Sequence, residues 1–166
     1  MLYPLLRACG ATVFALTLML SSPLPAGADN ATPAPSASGV IALKSAFDVA
    51  GTVDRIKKDI AAKGIIFFQE IDQAALAAKA NIELRPSVLL VFGNPPLGTQ
   101  FITANPQAGL DWPVRMLVYR DAQGQVWVAY TDFDWIAKRH GVTARDAQFQ
   151  MASQVAASIA ASVARH

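Results

Sequence analysis

Cysteine is almost absent from this chain of 166 residues, and its scarcity excludes several kinds of site. The one cysteine, Cys9, lies in an apolar N-terminal stretch that we expect to be removed. The remaining chain then has no disulfide, no thiolate nucleophile, no cysteine metal ligand and no C-x-x-C-H motif for covalent haem. In an oxidising compartment, such a fold must be held together by its hydrophobic core.

Histidine is nearly as scarce, since the sequence contains only His140 and His166. His166 is the terminal residue, so one histidine remains for an ordered site. A transition-metal site needs three or four ligands in suitable geometry, and the carboxylates are dispersed along the chain. We therefore predict no metal site and no cofactor.

The chain also lacks a strong charge imbalance and a long apolar run. It has 14 Lys and Arg against 12 Asp and Glu, which gives no electrostatic preference for nucleic acid or an anionic membrane. The N-terminal apolar run, Ala8–Leu20, has 13 residues. A spanning helix needs roughly 20. Nucleic acid is thus not an expected partner, and membrane insertion is not expected once this segment is cleaved.

The first 28 residues show the three parts of a secretory signal peptide. Arg7 supplies the positive region, the apolar run follows, and Ala26-Gly27-Ala28 is a small-x-small cleavage site. We predict cleavage after Ala28, leaving 138 residues in the periplasm or outside the cell. The alternative is an uncleaved membrane anchor, which the short apolar run disfavours.

The predicted domain organisation after the signal peptide is simple. Residues 29–39 are rich in Pro, Ala and Ser without periodicity, which predicts a disordered linker. Residues 40–166 show no internal repeat or composition shift, and we predict one α+β domain. Its two layers are a mixed sheet of about five strands and helices mainly on one face. Val114–Arg120 and Gln125–Thr131 form the clearest antiparallel hairpin, across a turn containing Gly124.

Other elements follow from apolar patterns and capping residues. Continuous apolar runs predict strands at Ile65–Ile71 and Ser87–Phe92, with burial on both faces. The last helix is predicted over about residues 144–164, because Thr143 and Asp146 resemble a capping box. Its alanine-rich stripe would cover the sheet or, alternatively, a partner subunit.

The connection Gly93–Pro113 is the best candidate for a functional site, because about 20 residues are too many for a plain loop. Asn94 and Thr99 offer polar groups beside a pocket, or they satisfy backbone donors where a helix begins. Asp111 and Arg115 would clamp an anion, or they would form an ion pair that ties the loop to the sheet.

An enzymatic alternative uses Asp111, Tyr130 or His140 as a general acid or base, with a hydrolase as the class. The serines lie in no G-x-S-x-G motif, and no Ser-His-Asp order is evident. Each residue also has a structural interpretation, since a strand tyrosine is commonly half-buried and a histidine that ends a helix interacts favourably with its dipole.

Several motifs in this region resemble the domain of unknown function 302 family. The resemblance rests on F-G-N-P-x-x-G-T from Phe92, on Asn105-Pro106, and on L-D-x-P-x-R from Leu110 to Arg115. It extends over about residues 40–142. It implies a small α+β fold and dimerisation, and it assigns no general activity. Many members carry a histidine after the aspartate that corresponds to Asp72. This chain has Gln73 at that position, so a role of that histidine does not carry over to this chain.

Together these observations predict a periplasmic or secreted binding or interaction module rather than an enzyme. A small anion or apolar molecule is the expected ligand. A homodimer is also expected, with the last helix or Trp112 at its interface. The candidate ligand-binding residues are Asn94, Thr99, Asp111, Arg115, Tyr130 and His140.

Overall fold

A computed structural model describes residues 33–164. The predicted signal peptide, the start of the predicted linker and His166 lie outside these residues. The described part of the chain falls in one compact unit. It contains no helix that is long and apolar enough to cross a membrane.

Five strands form one sheet in the order β1-β5-β4-β3-β2. Their bounds are β1 (Val40–Lys44), β2 (Ile66–Asp72), β3 (Ser87–Gly93), β4 (Val114–Arg120) and β5 (Val126–Thr131). Between and after them, residues 33–164 contain α1 (Val49–Ala62), α2 (Gln73–Lys79), α3 (Pro95–Ala104), a 3₁₀ helix (Pro106–Leu110), α4 (Phe133–Arg139) and α5 (Asp146–Ala161).

The α+β class and the number of strands confirm the prediction, but every neighbouring pair of strands is antiparallel. The expectation of a mixed sheet was therefore wrong in this respect. Helix α1 carries the chain across the whole sheet, so β1 and β2 point the same way but lie at opposite edges. No two neighbouring strands consequently run parallel.

The core lies between one face of the sheet and the helices. Along β3, the side chains of Val88, Leu90 and Phe92 enter this core, because alternate residues of a strand share a face. The apolar stripe of α5 packs against the same face and includes the fully buried Ile159. The stripe therefore covers the sheet within the domain, which was the first of its two predicted roles.

The predicted hairpin of β4 and β5 is confirmed. Met116 pairs with Tyr130, and Arg120 pairs with Val126. In the turn, Gly124 has φ of 82°, a left-handed conformation that glycine adopts without steric cost.

Three local predictions need correction. Strand β2 was expected to be buried on both faces, but it is an edge strand and is mostly exposed, because an apolar run alone does not distinguish edge from centre. Helix α5 begins at Asp146, after Arg145, and has no side-chain cap from Thr143. The end of the predicted linker is an ordered turn, since the Gly39 N–H donates to Ser36 O.

Candidate functional site

The carboxylate of Asp111 is the centre of a polar cluster at the end of the long connection. Its side chain is only 4% exposed. The Arg115 guanidinium donates to Oδ1 at 3.2 Å, and Arg139 Nη1 donates to Oδ1 and Oδ2 at 3.2 and 3.1 Å. His140 Nε2 lies 2.6 Å from Oδ2. Residues from β4 and from the end of α4 thus converge on one buried acid.

Asp111 has no acceptor capacity left for a further ligand. A carboxylate offers about four lone-pair sites, and the two arginines and His140 occupy them. The contact with Asp111 Oδ2 also occupies Nε2 of His140. Acid–base chemistry or metal binding at Asp111 would therefore require one of these hydrogen bonds to break.

The two arginines leave the cluster with an excess of positive charge at the surface. The side chains of Arg115 and Arg139 are 51% and 44% exposed, although the acid between them is buried. Each guanidinium carries five N–H donors in a fixed plane, and only some of them contact Asp111 or Leu110 O. The arrangement therefore holds two half-exposed cationic groups against one carboxylate, and the Arg139 guanidinium also lies 5.5 Å from the centroid of the Trp135 ring.

Backbone contacts fix the position of this cluster. Arg115 Nη2 donates to Leu110 O at 2.8 Å. Asn105 Nδ2 donates to His140 O at 2.8 Å, while its own Oδ1 caps the 3₁₀ helix by accepting from Gln107 N. Asn105 thereby joins the C-terminal end of α4 to the segment that carries Asp111.

Trp112, the next residue, packs against Gly98, which has no room for a side chain, and closely against Gly93. A Cβ on Gly98 would lie 1.7 Å from Trp112 Nε1. A Cβ on Gly93 would approach the same indole to 3.2 Å. The indole also meets Phe68 edge to face, with ring centroids 6.2 Å apart. Gly98 is therefore needed for close packing of the tryptophan, and a side chain at Gly93 would crowd it.

A small apolar cavity of about 40 Å³ lies beside Trp112. Its walls include Asn94, Leu97, Phe101 and Val155. This volume is close to that of a single water molecule. The cavity can therefore admit a methyl-sized group but not a whole organic ligand.

Comparison with known proteins identifies the family of this fold. Residues 41–164 match the family described as a domain of unknown function, DUF302. The chain belongs to this family. An uncharacterized conserved DUF302 protein from Bacillus stearothermophilus has a similar crystal structure, with a TM-score of 0.70 over 76% of this chain and 99% of that one. At 13% identity, this similarity establishes the shared fold alone.

The curated relatives that this chain matches are longer proteins, and the match covers only part of each of them. The chain is 35% identical over 105 residues to proteins of Brucella suis and Brucella abortus that are named fluoride-specific ion channel FluC 1. The matched region is 63% of this chain but 41% and 39% of those proteins. The chain thus spans about two fifths of the relatives that it matches.

Two of the predicted ligand contacts, Asn94 and Thr99, lie in the DUF302 motif that begins at Phe92, and both have local structural roles. Asn94 is the N-cap of α3, and its Oδ1 accepts from Leu97 N at 3.3 Å. The Thr99 hydroxyl donates to Pro95 O at 2.7 Å. Both residues are exposed, and neither is hydrogen-bonded to the Asp111 cluster.

Gln73, which departs from the DUF302 pattern, also has a defined contact. It begins α2, and the Asp72 side chain caps this helix by accepting from Ala75 N. Its Oε1 accepts from the Ser87 hydroxyl at 2.7 Å. In the described ranges of the chain, no group of three or more His, Cys, Asp or Glu could hold a metal ion.

Tyr130 lies apart from the Asp111 cluster. It is 4% exposed on the core side of β5, and its hydroxyl has no hydrogen-bond partner among the described residues. Burial, with a smaller contribution from the negative charge of Asp132, raises the pKa of Tyr130 to about 12. The phenol is therefore a poor proton donor or acceptor near neutral pH.

We expect Tyr130→Phe to stabilise the domain by about 1 kcal/mol, since it removes a buried hydroxyl without a partner. The raised pKa of Tyr130 means that folding favours the neutral phenol, so wild-type stability should fall between about pH 10 and pH 12. Urea unfolding across this range should show a smaller alkaline loss in the variant. Tyr119→Phe is the control, and an equal loss in wild type and Tyr130→Phe would contradict this account.

Two members of the cluster were not recognised from the sequence. Arg139 contacts Asp111 from 28 positions away, and Asn105 contacts His140 from 35 positions away. No local spacing indicates such pairs. The position of Arg139 directly before a candidate histidine was the only available signal.

Proposed function

We propose that this DUF302 domain is a binding module that recognises a small anionic group, such as a carboxylate or phosphate, at Arg115 and Arg139. One observation carries the proposal: two half-exposed guanidinium groups are held side by side by a buried acid. A planar guanidinium binds an oxyanion through two parallel hydrogen bonds. Because Asp111 already orients both groups, binding would require little further ordering of the side chains.

The electrostatics of the cluster favour an anion over a cation. Two arginines and one aspartate leave a net charge of +1 when His140 is neutral. The buried carboxylate cannot be reached by a cation without displacing its donors. This distribution supports an anion as the ligand.

The anion-binding proposal predicts that Arg115→Ala and Arg139→Ala each weaken binding at least about tenfold, since each variant removes one charge-assisted contact. Isothermal titration of the purified protein with acetate, citrate and inorganic phosphate measures the effect. Arg115→Lys, which keeps the charge but loses the planar fork, should bind with intermediate affinity.

Arg85→Ala is the matched control, because Arg85 is an exposed arginine outside the cluster. It should bind anions as the wild type does. Equal affinities of wild type, Arg115→Ala and Arg139→Ala would remove the cluster from the proposal. Unfolding midpoints of all variants separate lost binding from lost folding.

Fluoride belongs in the same titration. The matched Brucella relatives are named fluoride-specific ion channels, and more than half of each lies outside the similarity. We therefore propose fluoride as a further candidate anion for Arg115 and Arg139, without carrying over channel activity. A fluoride response that persists in both alanine variants would contradict this assignment.

A hydrolase that uses Asp111, Tyr130 or His140 is the less favoured alternative. The contact of 2.6 Å between Asp111 and His140 supports an acid–base pair. However, no serine or threonine hydroxyl in residues 33–164 is hydrogen-bonded to His140, and Tyr130 lies in the core. Ester cleavage by purified wild type that is abolished in His140→Gln would favour the enzyme over the binding module.

The proposed location of this module is the periplasm or the extracellular space. The charge, apolar run and small residues of the first 28 positions support it. N-terminal sequencing of the protein recovered from its host tests the proposal, because cleavage after Ala28 leaves Asp29 first.

A further inference from the structure

The face of the sheet that is turned away from the core carries an apolar row across all five strands. Strand register places its members side by side in the order Ala42, Ala129, Leu117, Leu89 and Ile71. Four of them are partly exposed, and Ala129 is 8% exposed. An antiparallel sheet with one face in water normally presents polar residues there. This central row has none.

The flanking rows on this face carry cations but no acid. Register places Arg115 in one row and Lys44 in the other. Tyr119 and Trp127 are neighbours in the row of Lys44. The face therefore has an apolar centre with a polar and aromatic border, which is typical of a protein interface.

The dimensions of the face suit a dimer. Five strands spaced about 4.8 Å apart, with three rows of outward side chains, cover roughly 500 Å². Two such faces would bury on the order of 1,000 Å², which is the lower limit for a specific interface. Sheets pack face to face at about 10 Å, so this contact needs no intervening element.

The order of side-chain sizes makes the face complementary to itself. Strand β4 is the central strand, and Leu117 is its central residue. A two-fold axis parallel to β4 would place β1 of one copy opposite β2 of the other. Ala42 would then face Ile71 of the partner subunit, and Ala129 would face the partner's Leu89. Small residues thereby meet large ones on both sides of Leu117.

We propose that two copies of this chain pack sheet to sheet through this face, with Leu117 at the two-fold axis. Arg115 would also lie near the axis, but its guanidinium is turned back onto Leu110 O and Asp111. The interface differs from the one expected from the sequence, which used the last helix or Trp112. It shares Arg115 with the proposed anion site, but its central row from Ala42 to Ile71 contains no residue of that site, so the two proposals can fail separately.

Cysteine cross-linking tests the position of the axis, because Cys9 is the only cysteine in the chain. In a full chain with Cys9→Ser, a short bismaleimide reagent should join two Leu117→Cys chains into a covalent dimer. The two thiols would face each other, but sheets about 10 Å apart are too distant for a direct disulfide. Met151→Cys is the control, because Met151 is 54% exposed on α5, on the opposite side of the sheet. Equal cross-linking at both positions, or cross-linking only at residue 151, would overturn the proposal.

Sedimentation equilibrium of the full chain provides the second measurement. Wild type should be dimeric, and Leu117→Asp should weaken dimerisation about a hundredfold, because it buries two facing carboxylates. Met151→Asp, a comparable change at an exposed apolar residue of α5 on the opposite side of the sheet, should leave the dimer intact. Circular dichroism verifies that each variant is folded. A wild type that remains monomeric up to about 1 mM would refute the proposed interface.

Discussion

Asp111→Asn is expected to lower the free energy of unfolding by about 3 kcal/mol, although it changes no volume. Every contact of the Asp111 carboxylate is with a donor. Whichever way the asparagine amide is oriented, its NH₂ group faces a guanidinium, which has no acceptor. The substitution therefore places donors against donors inside a nearly buried site.

The exposure of the arginines limits this loss. Because Arg115 and Arg139 are about half exposed, water can hydrate their charges when the carboxylate is removed. His140 is different, since its side chain is 5% exposed. The expected loss therefore lies at the lower end of the range of about 3–5 kcal/mol for breaking a buried ion pair.

Urea unfolding of Asp111→Asn beside Asp54→Asn provides the measurement. Asp54 is exposed on α1, and its replacement should change stability by less than about 0.5 kcal/mol. A loss of less than about 1 kcal/mol in Asp111→Asn would show that the cluster contributes little to folding. The segment around the proposed anion site would then have to be held mainly by apolar contacts.

The elements that local chemistry determines could be predicted from the sequence. The hairpin of β4 and β5 follows from two apolar strands and a turn with Gly124, which requires a left-handed residue. Helix α2 follows from Asp72, whose carboxylate accepts from Ala75 N at 2.8 Å. In both cases the interacting residues are a few positions apart, so the local sequence pattern is enough to predict the element.

Features that depend on tertiary position could not be predicted. The apolar run of β2 resembles that of β3, yet β2 lies at an edge because α1 crosses the whole sheet. Asp111 and Arg115 were recognised as a pair because they are four positions apart in the sequence. Arg139 was not recognised, because it is 28 positions from Asp111. Its contribution arises only when the end of α4 packs beside the 3₁₀ helix.

Gly98→Ala is the second change with a large expected effect on the free energy of unfolding. Helix propensity alone predicts that it stabilises the domain, whereas we expect the opposite. In the interior of a helix, alanine is more favourable than glycine by about 1 kcal/mol. Here the new Cβ would lie 1.7 Å from Trp112 Nε1 and 2.1 Å from Cε2. The clash involves a rigid ring that is also held against Gly93 and Phe68. We expect a net destabilisation of about 3 kcal/mol, since the indole must leave its site.

Gly109→Ala is the matched control, because its nearest neighbour would be Ile102 at 3.8 Å, an ordinary contact. Its unfolding midpoint should stay close to that of wild type.

In a Trp112→Ala background, Gly98→Ala should change the free energy of unfolding little, since the clashing ring is gone. A double-mutant cycle measures this coupling. An additive result would mean that Gly98 has another role. A strong coupling would show that Gly98, in the motif that begins at Phe92, and Trp112, in the segment that begins at Leu110, act together: the glycine makes room for the ring, and the ring positions Asp111 beside it.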